Sequence, residues 1–348
     1  MRFQIPGILR TENTLRRSFT FALTASLLSA TAGAQQSSLS GYERSARATV
    51  LHVANVYATP DPSTPPLTTV TPGHEIVVTE RNGPWVQVFA NTDAKDRDED
   101  DPDTPEFSED QNADPSTGWI HDQGIVGPTT PHGDAILFGA AANDEALAAT
   151  PQAPKNAASE AALLYQRTAS YFPSSPLAAE AAYRAADIRW QIAKFDNSTL
   201  PGAHEQDPAL RPQLYEGNLR RVIRRYPGTP QAALAEFDLL DNKVCGDWQG
   251  LPNCPERESE LYQKYAERYP DSPKAAEALY DAAYRQGAAF TMYLVNSDAK
   301  SEAAAAKQCS ALAAELRAKY PSSDFTPRAE AIAYKVSQGI PITGSDRN

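Results

Sequence analysis

Hydrophobic positions follow two different periods along this chain. Between residues 47 and 126 apolar and polar side chains alternate in short runs: Ala48-Thr49-Val50-Leu51-His52-Val53, Asn55-Val56-Tyr57-Ala58-Thr59-Pro60, residues 67–70, Ile76-Val77-Val78, Trp85-Val86-Gln87-Val88 and Gly118-Trp119-Ile120. A period of two with Gly and Pro punctuation, as at Pro72-Gly73 and Gly83-Pro84, predicts short strands and a small all-β barrel over 46–127. From residue 157 the period lengthens. Leu164, Tyr165, Thr168 and Ala169, and again Leu261, Tyr262, Tyr265 and Ala266, fall on one face of a helix.

The helical half is organised by a phrase written four times: Phe172-Pro173-Ser174-Ser175-Pro176, Tyr226-Pro227-Gly228-Thr229-Pro230, Tyr269-Pro270-Asp271-Ser272-Pro273, and Tyr320-Pro321 followed by Ser322-Ser323-Asp324-Phe325-Thr326-Pro327. The first proline stops a helix, since it has no N–H and its ring restricts the residue before it. Ser175, Thr229, Ser272 and Thr326 are then expected as N-caps with proline in the first helical position, which gives the fourth copy three extra residues. On that alignment Ala178, Ala232, Ala275 and Ala329 are equivalent, as are Tyr183, Phe237, Tyr280 and Tyr334. Helix pairs that cannot bury their own apolar faces must stack, so 157–340 is expected to be an all-α solenoid of helical hairpins.

These two sets of motifs resemble known families. The Asn-Val-Tyr-Ala-Thr-Pro entry at 55–60, the Pro72-Gly73 turn, Gly83-Pro84-Trp85 and Gly118-Trp119-Ile120 resemble a bacterial SH3 domain. The Tyr-Pro-x-Ser-Pro-x-Ala-Ala phrase resembles divergent tetratricopeptide-type repeats, similar to those of envelope proteins of the cell-division-coordinator and outer-membrane-assembly-lipoprotein type. The resemblance to bacterial SH3 domains implies binding of cell-wall peptides or proteins. Tyr57, Trp85 and Trp119 are the candidate aromatic recognition strip, against the plainer expectation that both tryptophans pack the barrel core and only Tyr57 reaches the surface.

Composition supplies an address. Arg10, Arg16 and Arg17 precede an apolar run at 19–28 and Ala32-Gly33-Ala34, the pattern of a signal peptide cleaved after Ala34. Arg16-Arg17-Ser18-Phe19 matches a twin-arginine signal in part, but Thr20 and Phe21 depart from it, which favours general secretion. A periplasmic or secreted location follows. The formal net charge is −12, and loss of residues 1–34 makes the rest more acidic, which argues against nucleic acid as partner. No membrane span is expected after cleavage.

Three segments bear on chemistry. An acidic insertion at 92–116 sets eleven Asp and Glu, Asp93 first, against Lys95 and Arg97; such carboxylates suit weak calcium binding, but without an EF-hand's glycine and terminal glutamate a solvated loop is the expectation. Residues 128–156 have linker composition, with 134–138 expected either to extend the barrel's last strand or to dock on it. Cys245 and Cys254 bracket a turn-rich bridge and are expected to form a disulfide worth about 2–3 kcal/mol by loop closure. Cys309, among Leu312, Ala313 and Leu316, is expected as an inert buried thiol. His52, His74, His121, His132 and His204 share no motif with a nucleophile or a metal-binding carboxylate, and no phosphate-binding loop is present. No catalytic residue, metal or cofactor is therefore expected. The reading is a non-catalytic exported scaffold binding envelope proteins through the solenoid groove, with Arg167, Arg221 and Arg268 as candidates to line it. The alternative is an accessory factor of peptidoglycan remodelling that targets a hydrolase through its SH3-like domain.

Overall fold

The computed structural model describes residues 46–93 and 116–344. The signal-peptide reading, and the acidic insertion beyond Asp93, lie outside the described residues. The β region holds β1 (Arg47–Val50), β2 (Ala54–Val56), β3 (Thr68–Val70), β4 (Glu75–Asn82), β5 (Trp85–Ala90), β6 (Ser116–His121) and β7 (Ile125–Val126). All pairings are antiparallel, in a five-stranded sheet ordered β6-β5-β4-β1-β7 and a two-stranded sheet β2-β3. Strand alternation puts Val50, Val56, Val70, Ile76, Val86, Val88 and Ile120 into one core. Gly118 is where the two sheets meet: a Cβ there would lie 2.5 Å from Val56 Cγ1 and 2.6 Å from Tyr57 O, so only glycine lets β6 pass β2.

Helices follow, nine among the described residues: α1 (Gly133–Ala148), α2 (Ala157–Tyr171), α3 (Ala178–Ser198), α4 (Gly217–Arg225), α5 (Pro230–Asp238), α6 (Asn253–Arg268), α7 (Ala275–Val295), α8 (Ala299–Lys319) and α9 (Phe325–Ser337). α2/α3, α4/α5, α6/α7 and α8/α9 pack as pairs across the four repeated turns. At each turn the residue before the first proline leaves the helix in the same way: Phe172, Tyr226, Tyr269 and Tyr320 have φ of −123, −125, −126 and −132° with ψ of 58, 54, 60 and 56°. One repeated local sequence thus gives one repeated backbone bend.

The caps differ from expectation in detail. Thr229 is an N-cap with Pro230 behind it, its Oγ1 accepting from Ala232 N at 3.2 Å. Ser175 and Ser272 instead close a tight turn ahead of the helix, accepting from Leu177 N and Lys274 N at 3.1 Å. In the fourth copy Ser323, not Thr326, holds the equivalent place. Its N–H donates to Tyr320 O and its carbonyl accepts from Thr326 N, the same pair of bonds made around Ser175 and Ser272. The three extra residues therefore disappear. Thr326 fills the slot of Ala178 and Ala275, and Ala329 matches the fully buried Ala181 and Ala278. Tyr334 drops out of the aromatic series and is 65% exposed.

Residues 128–156 also depart from the linker reading. Residues 134–138 are helical, and α1 lies on α2 with Phe138 edge-on to Tyr165 at 5.1 Å between centroids. The barrel is then seated on this helical start. Gly73, at φ +84°, brings its turn so close to α2 that a Cβ would fall 2.5 Å from Leu163 Cβ. Arg167 of α2, 5% exposed, donates through Nε to Gly73 O at 3.0 Å, pairs with Asp93 and faces Glu75 at 3.8 Å. Asp93 also meets His74 Nδ1 at 2.7 Å and accepts from Glu75 N at 2.8 Å. Burial alone would raise the Asp93 carboxyl, but the His74 hydrogen bond and the Arg167 charge hold it below the usual carboxylate range. Two domains joined by a loose linker are thus replaced by one joined body.

Between hairpins the contacts are aromatic and polar. Phe237 is edge-on to Tyr265 at 5.1 Å, Tyr265 Oη donates to Ala233 O at 2.9 Å, and Tyr320 Oη donates to Pro270 O at 2.7 Å. Tyr183 of α3 donates to Asp238 of α5 at 3.1 Å. Burial, then the nearby Asp187, raises the Asp238 carboxyl to about 7. A carboxyl that ionises later in the folded chain than in the unfolded one costs stability as pH rises from about 4 to 7, the window between its ordinary and raised values. Asp238→Asn is expected to flatten that decline and to gain on the order of 1–3 kcal/mol at pH 8 relative to the parent chain. Urea midpoints at pH 5 and pH 8 check this, and an equal fall in both proteins would refute it.

Candidate functional site

The strongest candidate recognition surface lies on the outward face of the β5–β6 hairpin. Register decides which side chains share it: Trp85 stands opposite His121 and Gln87 opposite Trp119, while Val86 and Val88 turn inward with Ile120. Trp85 stacks on His121 with centroids 3.9 Å apart and planes 28° from parallel. Tyr57 meets the Trp85 ring edge-on at 5.8 Å. The backbone fixes the third member: Tyr57 N donates to Trp119 O at 2.9 Å and Trp119 N donates to Tyr57 O at 2.8 Å.

The three sequence-predicted aromatics therefore share one neighbourhood; Trp85 is buried, as the plainer expectation had it, though off the aliphatic core, while Trp119 is half-buried. Neither tryptophan belongs to the barrel's aliphatic core, because each occupies the opposite parity of its strand from Val86 and Ile120. Exposure departs from expectation at Tyr57 and Trp119 but not at Trp85. Tyr57 is 9% and Trp85 8% exposed, whereas Trp119 is half-buried. Tyr57 and Trp85 form a packed floor, and Trp119, Gln87 and the 47%-exposed Phe89 lie further along the same strand face. Asn55 Nδ2 donates to Tyr57 Oη at 3.3 Å. The arrangement offers flat aromatic area with amide and imidazole edges, which suits an extended peptide.

Sequence reading missed His121. The signal was there: it follows Trp119 by two residues, so in a strand it must share that face. The other nominated residues are scattered. Arg167 is buried against the barrel, Arg268 lies over the Tyr269 ring at 5.2 Å, and Arg221 lines a cleft between the first two hairpins. Cys245 and Cys254 are bonded, with Cα atoms 6.0 Å apart. Cys309 is fully buried, and burial pushes its thiol up to about 12, far from nucleophilic use. Among the described residues no group of three or more His, Cys, Asp or Glu is placed to hold a metal ion, and no helix is long and apolar enough to cross a membrane.

Residues 52–126 match the family model of the bacterial SH3 domain. The match spans strands β2 to β7 and includes Tyr57, Trp85, Trp119 and His121. The rest of the chain falls outside it, and no curated protein matches. A solved structure described as the DHF58 filament is similar at 17% identity over 59% of this chain and 91% of its own, with a TM-score of 0.20, too loose a superposition to carry any argument.

Proposed function

We propose that this chain is a non-catalytic, exported scaffold of the bacterial envelope whose SH3 domain holds a cell-wall or protein-borne peptide on the Tyr57, Trp85, Trp119 and His121 face. The observation that carries this is the aromatic face itself: aromatic side chains are set outside the aliphatic core on a domain whose family suggests peptide binding. The helical hairpins, read as tetratricopeptide-like repeats, serve as a platform and present further surface to envelope partners. Seating of the barrel on α2 supports joint presentation of both surfaces. Export rests on the basic, apolar and Ala-x-Ala pattern of residues 1–34.

Co-sedimentation of the full chain with purified peptidoglycan, alongside a peptide array, tests the reading. Trp119→Ala is expected to weaken retention at least about tenfold at a smaller cost in melting temperature than loss of a core residue would bring, since Trp119 is half-buried and outside the aliphatic core. Equal retention of the variant and the parent, or no capture of either ligand class, would remove the SH3 face as the binding site.

A further inference from the structure

A second binding site is built between the first two hairpins, remote in sequence from the barrel. α2, α3 and α4 enclose a cleft of about 130 Å³, with Gln166 and Ser170 of α2 and Asn218 of α4 on its walls. Its floor is aliphatic, made by Ala182, Ala185 and Ala186 of α3 and Val222 of α4. Around it stand Arg189, Arg221 and Arg225, with no Asp or Glu in the lining among the described residues. In a chain with 44 acidic against 32 basic side chains, three arginines around one small apolar cleft are a local reversal of charge.

Tyr226 adds an independent observation. It walls the same cleft, and its hydroxyl oxygen is shut from solvent with no hydrogen-bond partner. Other tyrosines of this chain, buried or half-buried, do find partners: Tyr165 with Glu145, Tyr183 with Asp238, Tyr265 with Ala233 O. A buried hydroxyl without a partner is uncommon because its desolvation goes uncompensated. The Arg225 guanidinium lies 5.8 Å over the Tyr226 ring, on an exposed residue able to move aside.

The geometry points to a carboxylate on a short aliphatic chain as the ligand of this cleft. The planar guanidinium fork matches a carboxylate, and the Tyr226 hydroxyl supplies a further donor to it. The alanine and valine floor takes the alkyl part, which inorganic phosphate lacks. The carboxylate is that of a free short-chain acid or of the last residue of a peptide, and the two are separable by experiment. The site stands apart from the SH3 face and does not depend on the function proposed for it.

Calorimetric titration of the full chain at low ionic strength tests the inference, with hexanoate, hexanamide, inorganic phosphate and N-acetyl-Ala-Leu as probes. Hexanoate or the acetylated dipeptide is expected to bind and hexanamide to give no heat. Stronger binding of the dipeptide assigns a peptide end; stronger binding of hexanoate assigns a free acid. Tyr226→Phe is expected to weaken the bound acid about tenfold without lowering the denaturation midpoint, because the hydroxyl it removes satisfies nothing in the free protein. Arg225→Gln, on an exposed residue, is expected to weaken it several-fold. Hexanamide binding as tightly as hexanoate, phosphate displacing hexanoate, or unchanged affinity in Tyr226→Phe would each overturn the assignment, as would silence from both acids.

Discussion

Replacing Glu258 by alanine is expected to cost about 3–5 kcal/mol of stability, measured as the shift in guanidinium unfolding free energy. Glu258 and Arg285 are 2% and 4% exposed, and Arg285 Nε donates to Glu258 Oε2 at 2.7 Å. The guanidinium also reaches Asp281 Oδ1 at 2.8 Å and lies 4.3 Å over the Tyr262 ring. Removing the glutamate strands a buried cation with only one carboxylate. It also frees the bridge closed by Cys245 and Cys254, because Glu258 Oε1 accepts from Cys245 N at 2.9 Å and from Trp248 Nε1 at 3.0 Å. Glu258→Ala combined with Arg285→Met should cost less than the sum of the two single changes, since each leaves the other's charge uncompensated. Strict additivity, or a single-variant loss under about 1 kcal/mol, would mean that the pair is not the buried unit described.

Arg167→Ala is expected to have a comparable effect with a different signature. One guanidinium stands between Asp93, Glu75 and the Gly73 carbonyl. Without it Asp93 and Glu75 keep only His74 and Arg47 at a water-poor junction, a cost of about 3–5 kcal/mol locally. Because this junction joins barrel to helices, the loss should uncouple them. Scanning calorimetry is expected to resolve two transitions in the variant where the parent chain melts as one. A single transition displaced by less than a few degrees would show that α1 and the Leu163 contact suffice to hold the barrel.

Much of this architecture was legible because it rests on local rules. Period-two alternation gave the strands, and the residue before each first proline bends the chain in one fixed way, so four hairpins could be counted. What failed depended on long-range partners. Alanine-rich residues 128–156 carry neither strong caps nor a sharp amphipathic pattern, and the helix there is completed by its contact with α2. Thr326-Pro327 imitates the Ser-Pro signature, and only the hydrogen bonds of Ser323 reveal that the cap lies three residues earlier. Arg167 reads as a surface residue on a helix, because nothing near it in sequence announces that Asp93 and Glu75 will meet it. Residue type alone predicts burial, which holds for Trp85, but only parity along the strand puts both tryptophans on the face opposite Val86 and Ile120.

The seat formed at Gly73 and Arg167 determines what could be moved into another protein. Cut free at residue 127, the β region would carry away a bare backbone turn and two acids that keep Arg47 and His74 beside them but lose the buried guanidinium they share. The smallest portable piece is therefore the strands together with α1 and α2, and a graft that stops short of Arg167 would be expected to arrive crippled.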